Sequence, residues 1–325
     1  MNARKLNIKL EPTAGELRQP LVLTPGQDIK GFLSLYLGRA VIFLITCTSV
    51  LAVLLIFVFV IREAFLFVTG FSLKEFLIGA DWYPEAESPK FGALSLIIGS
   101  LYVTFAALLF SVPVGILAAV FLSDIVSFKI RDLVKPVIEI LAAIPSVAYG
   151  FFAVLILAPW LQKNLGFSTG TNALNASLIL EVMALPTIIS VAEDSISAVG
   201  RELREASYSC GATRMETVFR VVIPAAHSGI IAAIVLWMMR AIGETMVVWM
   251  ASGNANQIPH PWWDLSQSIR TMTATIAGEM GETAKGSLHY RALFAIGAVL
   301  LVMTFSLNII SEYFLSRAKR TLGKD

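Results

Sequence analysis

Charge is what this sequence has least of. Only 15% of its 325 residues are charged, against 56% hydrophobic, and the mean hydropathy is +0.75. A soluble globular chain carries about 25% charged residues, so this chain could not cover a soluble surface with polar groups. An ordinary soluble enzyme, a disordered protein and a nucleic-acid binder are excluded on that ground. Cysteine is almost missing. Cys47 and Cys210 lie far apart, which argues against a disulfide and against a thiolate metal site. The three histidines, His227, His260 and His289, are scattered, and no HExxH occurs. There is no Gly-x-x-x-x-Gly-Lys-Ser/Thr, so the chain is not expected to hydrolyse ATP itself. Gly166-Phe-Ser168-Thr-Gly170 matches a nucleophile elbow in letters but lacks the strand-to-helix context that gives the motif meaning. No catalytic residue, metal ligand or bound cofactor is expected.

Long apolar runs are what the sequence has instead. A transmembrane helix needs about 20 mostly apolar residues. Candidate spans fall at 40–61, within 91–123, and at 136–161, 172–192, 225–250 and 292–311. The run 91–123 has no charge over 33 residues, too long for one straight crossing, so part of it should bend or lie at the interface, with Gly99, Pro113 and Gly115 as bending points. Pro113, Pro145 and Pro186 are expected to interrupt spans two, three and four. The expected fold is all-α, a polytopic membrane protein of about six transmembrane helices. Residues 1–39 form an N-terminal segment, 40–315 the membrane domain and 316–325 a tail.

Basic residues orient the spans, because Lys and Arg accumulate on the cytoplasmic side. Seventeen of the 25 fall in the two terminal segments and in the 2–3 and 4–5 loops. Seven fall on the opposite side, and Arg240 is left inside a span. Both termini are therefore expected in the cytoplasm. The N-terminus does not read as a cleavable signal peptide, since about 39 residues with six basic groups precede the first apolar run. In the long outer loops, Trp82, Tyr83, Trp262 and Trp263 read as an aromatic belt at the interface or as a docking surface.

The 4–5 loop, residues 200–224, carries the most information. Residues 201–210 favour a helix, Gly211 suits its end, and Thr213 with Glu216 has capping-box spacing for a second helix. Leu203, Ala206, Met215 and Phe219 supply apolar contact points among Arg201, Arg204, Glu205, Arg214 and Arg220. The result is a compact knob. Glu205-Ala206-Ser207, three residues, Gly211, nine residues and Val221-Val222-Ile223-Pro224 closely resemble the EAA loop of ABC-importer permeases, with mild departures at Ser207, Val221 and Ile223.

The resemblance narrows to the phosphate-specific (Pst) permeases. It is carried by Phe91-Gly92-Ala93-Leu94, residues 144–151, Leu185-Pro186-Thr187-Ile188, Arg240-Ala241-Ile242-Gly243-Glu244-Thr245-Met246 and Glu279-Met280-Gly281-Glu282. The Glu-Thr-Met-x-Val run is similar to PstC-type subunits rather than PstA-type ones. The resemblance implies a type I ABC importer permease fold. Arg204, Glu205, Ala206, Gly211 and Pro224 would then meet an ATPase subunit. The implied partners are a PstA-like permease, two PstB-like ATPases that use ATP and Mg, and an extracytoplasmic PstS-like binding protein.

Intramembrane ionisable residues usually face a cavity or a partner. Arg240 and Glu244 are four apart and should share one face of span five. Guanidinium suits phosphate because it offers a planar fork of donors. Glu244 can accept a hydrogen bond from protonated phosphate, whereas sulfate has no proton to give. Glu181 is expected either to pair with Arg240 or to sit in the cavity, and Glu139 to pair with Lys135. The rival readings are a permease for another oxyanion, such as molybdate or sulfate, and a secondary transporter.

Overall fold

The computed structural model describes residues 25–321. Residues 1–24 of the expected N-terminal segment and 322–325 of the expected tail therefore lie outside the described residues. The chain divides into a unit ending at Val58 and one beginning at Phe59. Helix α1, Pro25–Gly70, runs through that boundary. In the first unit the apolar side chains from Val41 onward are exposed, as a lipid-facing helix requires.

The second unit is built around two long apolar helices. One is α3, Leu94–Val120, extended by a wide π turn at Phe121–Ile125. The other is α7, Ala173–Ser197, whose N-cap Asn172 accepts a hydrogen bond from Asn175 N at 2.9 Å. Small residues let them approach closely, which is how membrane helices gain packing. Ala107, Ala176 and Ala184 are buried between them, and a Cβ on Gly115 would strike Ile188. Gly99 likewise abuts the Arg270 carbonyl, so both glycines serve close packing rather than bending. Pro113 and Pro186 sit inside unbroken helices, contrary to expectation.

Pro145 does mark a break. Helix α4, Phe128–Ala143, ends before it, and α5, Ser146–Phe152, begins after it. The third span is Ser146–Leu165, from α5 through a π turn to α6, Ala158–Leu165. The expected start at 136 is therefore corrected: Pro136 lies within α4, an amphipathic helix whose charges keep it out of the span.

Two short helices follow α7: α8, Arg201–Ser209, and α9, Arg214–Thr217. A π turn leads into α10, Ile223–Ala225, then α11, His227–Gly243. The α9–α10 segment meets α11 at 68°. Helix α11 stops at Gly243, and α12, Met246–Ala251, resumes beyond a break. Helices α2, Leu73–Ile78, and α13, Met272–Glu279, and a two-stranded pair, β1 Trp82–Tyr83 with β2 Lys90–Phe91, sit at the end of the bundle away from α8. Helix α14, Leu288–Thr321, closes the chain. Among the described residues, five helices are long and apolar enough to cross a membrane, six if the bent pair counts as one span.

Candidate functional site

The knob forms as its sequence implies. Gly211 takes a positive φ of 84°, and the Gly211 and Ala212 amides return to the carbonyls of Tyr208 and Ser207 at 2.9 and 3.3 Å. That is a Schellman end to α8. Thr213 caps α9, accepting from Glu216 N at 3.3 Å while its own amide donates to Glu216 Oε2 at 2.9 Å. A cap of this kind contributes about 1 kcal/mol. Ser207 and Thr217 join the two helices through their hydroxyls, 2.9 Å apart. Beneath, Val218 and Val222 pack on Ala119, Val120, Ala192 and Ile196 at the ends of α3 and α7. On top, Leu203, Met215 and Phe219 are each about half exposed, and Glu205, Ala206 and Pro224 are exposed beside them.

Ion pairs fasten this end. Arg204 bonds to Asp124 in the π turn of α3. Arg131 and Lys135 of α4 both bond to Glu193 of α7, and Lys135 also reaches Asp194 at 3.0 Å. These hydrogen bonds, Glu193's first, raise the Lys135 pKa. The expected Lys135–Glu139 pair is thus corrected: Lys135 turns to α7, and Glu139 is exposed.

Arg240 and Glu244 depart from their expected arrangement. Because α11 ends at Gly243, Glu244 has extended backbone (ψ 132°) and leaves the helical path. Four-residue spacing therefore does not place the two on one helix face. The carbonyl freed by the break is caught by Thr273, which donates to Glu244 O at 2.8 Å. Glu244 lines a small cavity of about 10 Å³ with Ser100, Thr104, Thr271 and Thr273. That space suits about one water, not a phosphate. Arg240 is exposed and within electrostatic range of the Tyr149 hydroxyl. Glu181 is half-buried. Among the described residues no ion pair joins Arg240 to Glu244 or Glu181.

The opposite end holds a cluster that sequence reasoning did not assemble. Glu279 accepts from Arg270 at 2.5 Å, from His289 at 2.7 Å and from Trp82 Nε1 at 3.0 Å. The Glu279-Met280-Gly281-Glu282 run pointed there, but not to its partners. Together they line a cavity of about 650 Å³ with Asn254, Asn256 and Trp249. Trp82 is only 1% exposed, so it belongs to the core rather than to an aromatic belt. Trp262 and Trp263, at 74% and 66%, remain exposed.

Comparison with known proteins agrees with this architecture. The chain is 39% identical to the probable ABC transporter permease protein YqgH of Bacillus subtilis (strain 168), over 78% of this chain and 81% of that one. It is 36% identical to the phosphate transport system permease protein PstC of Mesorhizobium japonicum, again over 78% and 81%. It is 31% identical to the PstC of Haemophilus influenzae, over 85% and 94%. Among solved structures it is similar to the MetNI methionine ABC transporter in inward-facing conformations, with a TM-score of 0.53 at 19% identity, covering 68% of this chain and 93% of that one. It is also similar to a bacterial alginate ABC transporter, with a TM-score of 0.54 at 16% identity, covering 87% and 98%. These structures share the type I ABC importer permease fold. Residues 111–320 match the model of the binding-protein-dependent transport system inner membrane component, and the chain belongs to that permease family.

Proposed function

We propose that this chain is a PstC-type subunit that forms part of the membrane path for inorganic phosphate in an ATP-driven importer. The observation that carries the reading is the knob at residues 201–224. It is seated firmly on α3 and α7 yet exposes Leu203, Met215 and Phe219 at its tip. Such a rigid apolar tip ringed by charge suits docking into a groove on another protein. Its occupant is a PstB-like ATPase, two copies serving this chain and a PstA-like permease, with ATP and Mg bound by the ATPases. A PstS-like binding protein delivers substrate at the end that carries Trp82 and Glu279. The knob and both termini then face the cytoplasm of a bacterial inner membrane. Phosphate is supported by the PstC names of the relatives.

Arg240 attracts the anion, and Glu244 favours the protonated oxyanion over sulfate. Glu181 lies along the same path. The cavity at Glu244 is far smaller than a phosphate, so the path opens only during transport or is completed by the second permease. The test is ATP hydrolysis by the complex in lipid nanodiscs, with the binding protein offered phosphate, sulfate or molybdate. Stimulation by phosphate alone is expected. Equal stimulation by sulfate or molybdate would replace phosphate with a broader oxyanion substrate, and transport on an ion gradient without ATP would overturn the importer reading.

A further inference from the structure

Two arginines, one from each knob helix, converge on a single residue of a membrane helix. Asp124 lies in the π turn that ends α3, and its side chain is 5% exposed. Arg204 of α8 donates from Nη1 to Asp124 Oδ1, and Arg214 at the start of α9 donates from Nη2 to the Asp124 main-chain oxygen. Arg204 also donates from Nη2 to Ile196 O at 2.8 Å, near the end of α7. Both knob helices and the ends of α3 and α7 therefore meet through these three hydrogen bonds.

We propose that Asp124 is the joint through which displacement of the knob moves α3. It is a positioning residue, touching neither substrate nor ATPase, and the proposal rests on the reading of the knob as the coupling element. The apolar seat under the knob is non-directional, so Val218 and Val222 can slide over Ala119 and Val120. The two Nη atoms of Arg204 span Asp124 Oδ1 and Ile196 O, and a planar fork held at both tines fixes direction as well as distance. Burial makes the pair hard to part, because separation strands a charge out of water. Asp124 Oδ2 is buried with no hydrogen-bond partner. It leaves acceptor capacity for Arg214 to take up as the knob shifts.

Beyond the joint, α3 acts as a lever. It is unbroken from Leu94 to Val120 and continues through the π turn. From Asp124 to Thr104 it spans about 30 Å at 1.5 Å per residue. Ser100 and Thr104 share the small cavity with Glu244. A tilt imposed at Asp124 therefore reaches the residue proposed to select the anion. Coupling of this kind needs a rigid element that both sites bias, and α3 has that form.

The experiment measures substrate imported per ATP hydrolysed in proteoliposomes holding the whole complex, with ATPase recovery as the check on assembly. Asp124→Ala is expected to assemble, to keep ATP hydrolysis within about twofold and to lower the import ratio at least tenfold. Asp124→Glu, which keeps the carboxylate, should recover at least half of the ratio. An unchanged ratio in Asp124→Ala, or no recovery in Asp124→Glu, would overturn the joint. If Asp124→Ala fails to assemble, Arg204→Lys decides, since one ammonium cannot hold Asp124 and Ile196 O as a fork does. A ratio within twofold of the parent there contradicts the proposal. If the parent complex imports another oxyanion and not phosphate, the substrate reading fails alone, and the ratio is read with that oxyanion.

Discussion

The two ends of the helical bundle use their few charges differently. At the knob end, acids on the long helices hold cations from distant segments: Asp124 holds Arg204, and Glu193 holds Arg131 and Lys135. The loops are tied down while Leu203, Met215 and Phe219 stay exposed. At the other end a single carboxylate, Glu279, gathers Arg270, His289 and Trp82, and the large aromatic is buried. One end presents a fastened but unfinished surface. The other gathers its charges around a cavity that opens to the surface. The contrast suits a moving contact at one face and a stable platform at the other.

The largest effect should come from the knob. Gly211→Val has open space around the new side chain, yet a φ of 84° is disfavoured for a β-branched residue by about 1–2 kcal/mol. Import should fall at least tenfold while membrane insertion, followed by protease protection, is unchanged. Normal import would remove the knob from the mechanism.

Between the two ends, Glu244→Gln should change selectivity. Sulfate competition against phosphate import is expected to strengthen several-fold, and an unchanged competition curve would show that the carboxylate does not sort the anions.

Glu279→Gln should invert the knob result. It leaves Arg270 and His289 without their shared anion in a partly buried site, a loss of about 1–3 kcal/mol. Thermal unfolding should begin several degrees earlier, with import per ATP unchanged. A fall in that ratio at normal stability would mean that this end couples too.

The smallest effect is expected at Asp81, on the same end but in water. Its hydrogen bond, and then its charge, raise the Lys90 pKa above the ordinary 10.5. A raised lysine contributes stability below its unfolded pKa and loses it as pH rises through the folded one, here above pH 10.5. Both side chains are 56% exposed, so solvent screens the pair. Asp81→Asn should leave the melting temperature unchanged from pH 7 to 9. A clear shift would mean that the cluster extends to this pair.

Local signals in the sequence were legible because they act over a few residues. The helix, glycine turn and capping box at 201–216 need only short spacing, and they form as read. The apolar runs likewise mark the spans. What escaped depends on long-range placement. Asp124 is the first charge after a 33-residue uncharged run, which hinted at its position but not at Arg204, 80 residues on. Lys135 and Glu193 are 58 residues apart, whereas helical spacing points Lys135 to its own helix neighbour, Glu139. Trp82 looked like a surface aromatic because nothing local tells of Glu279, 197 residues away. The break after Gly243 was hidden inside an apolar run, and it took Glu244 off the face assigned by helical spacing.

The most direct measurement of the whole account is radiolabelled phosphate uptake into proteoliposomes containing the two permeases and the ATPases, with the binding protein added outside and ATP inside. Uptake that requires both ATP and the binding protein, and that excess sulfate does not reduce, is the expected result. Uptake that proceeds without ATP, or that sulfate abolishes, would contradict it.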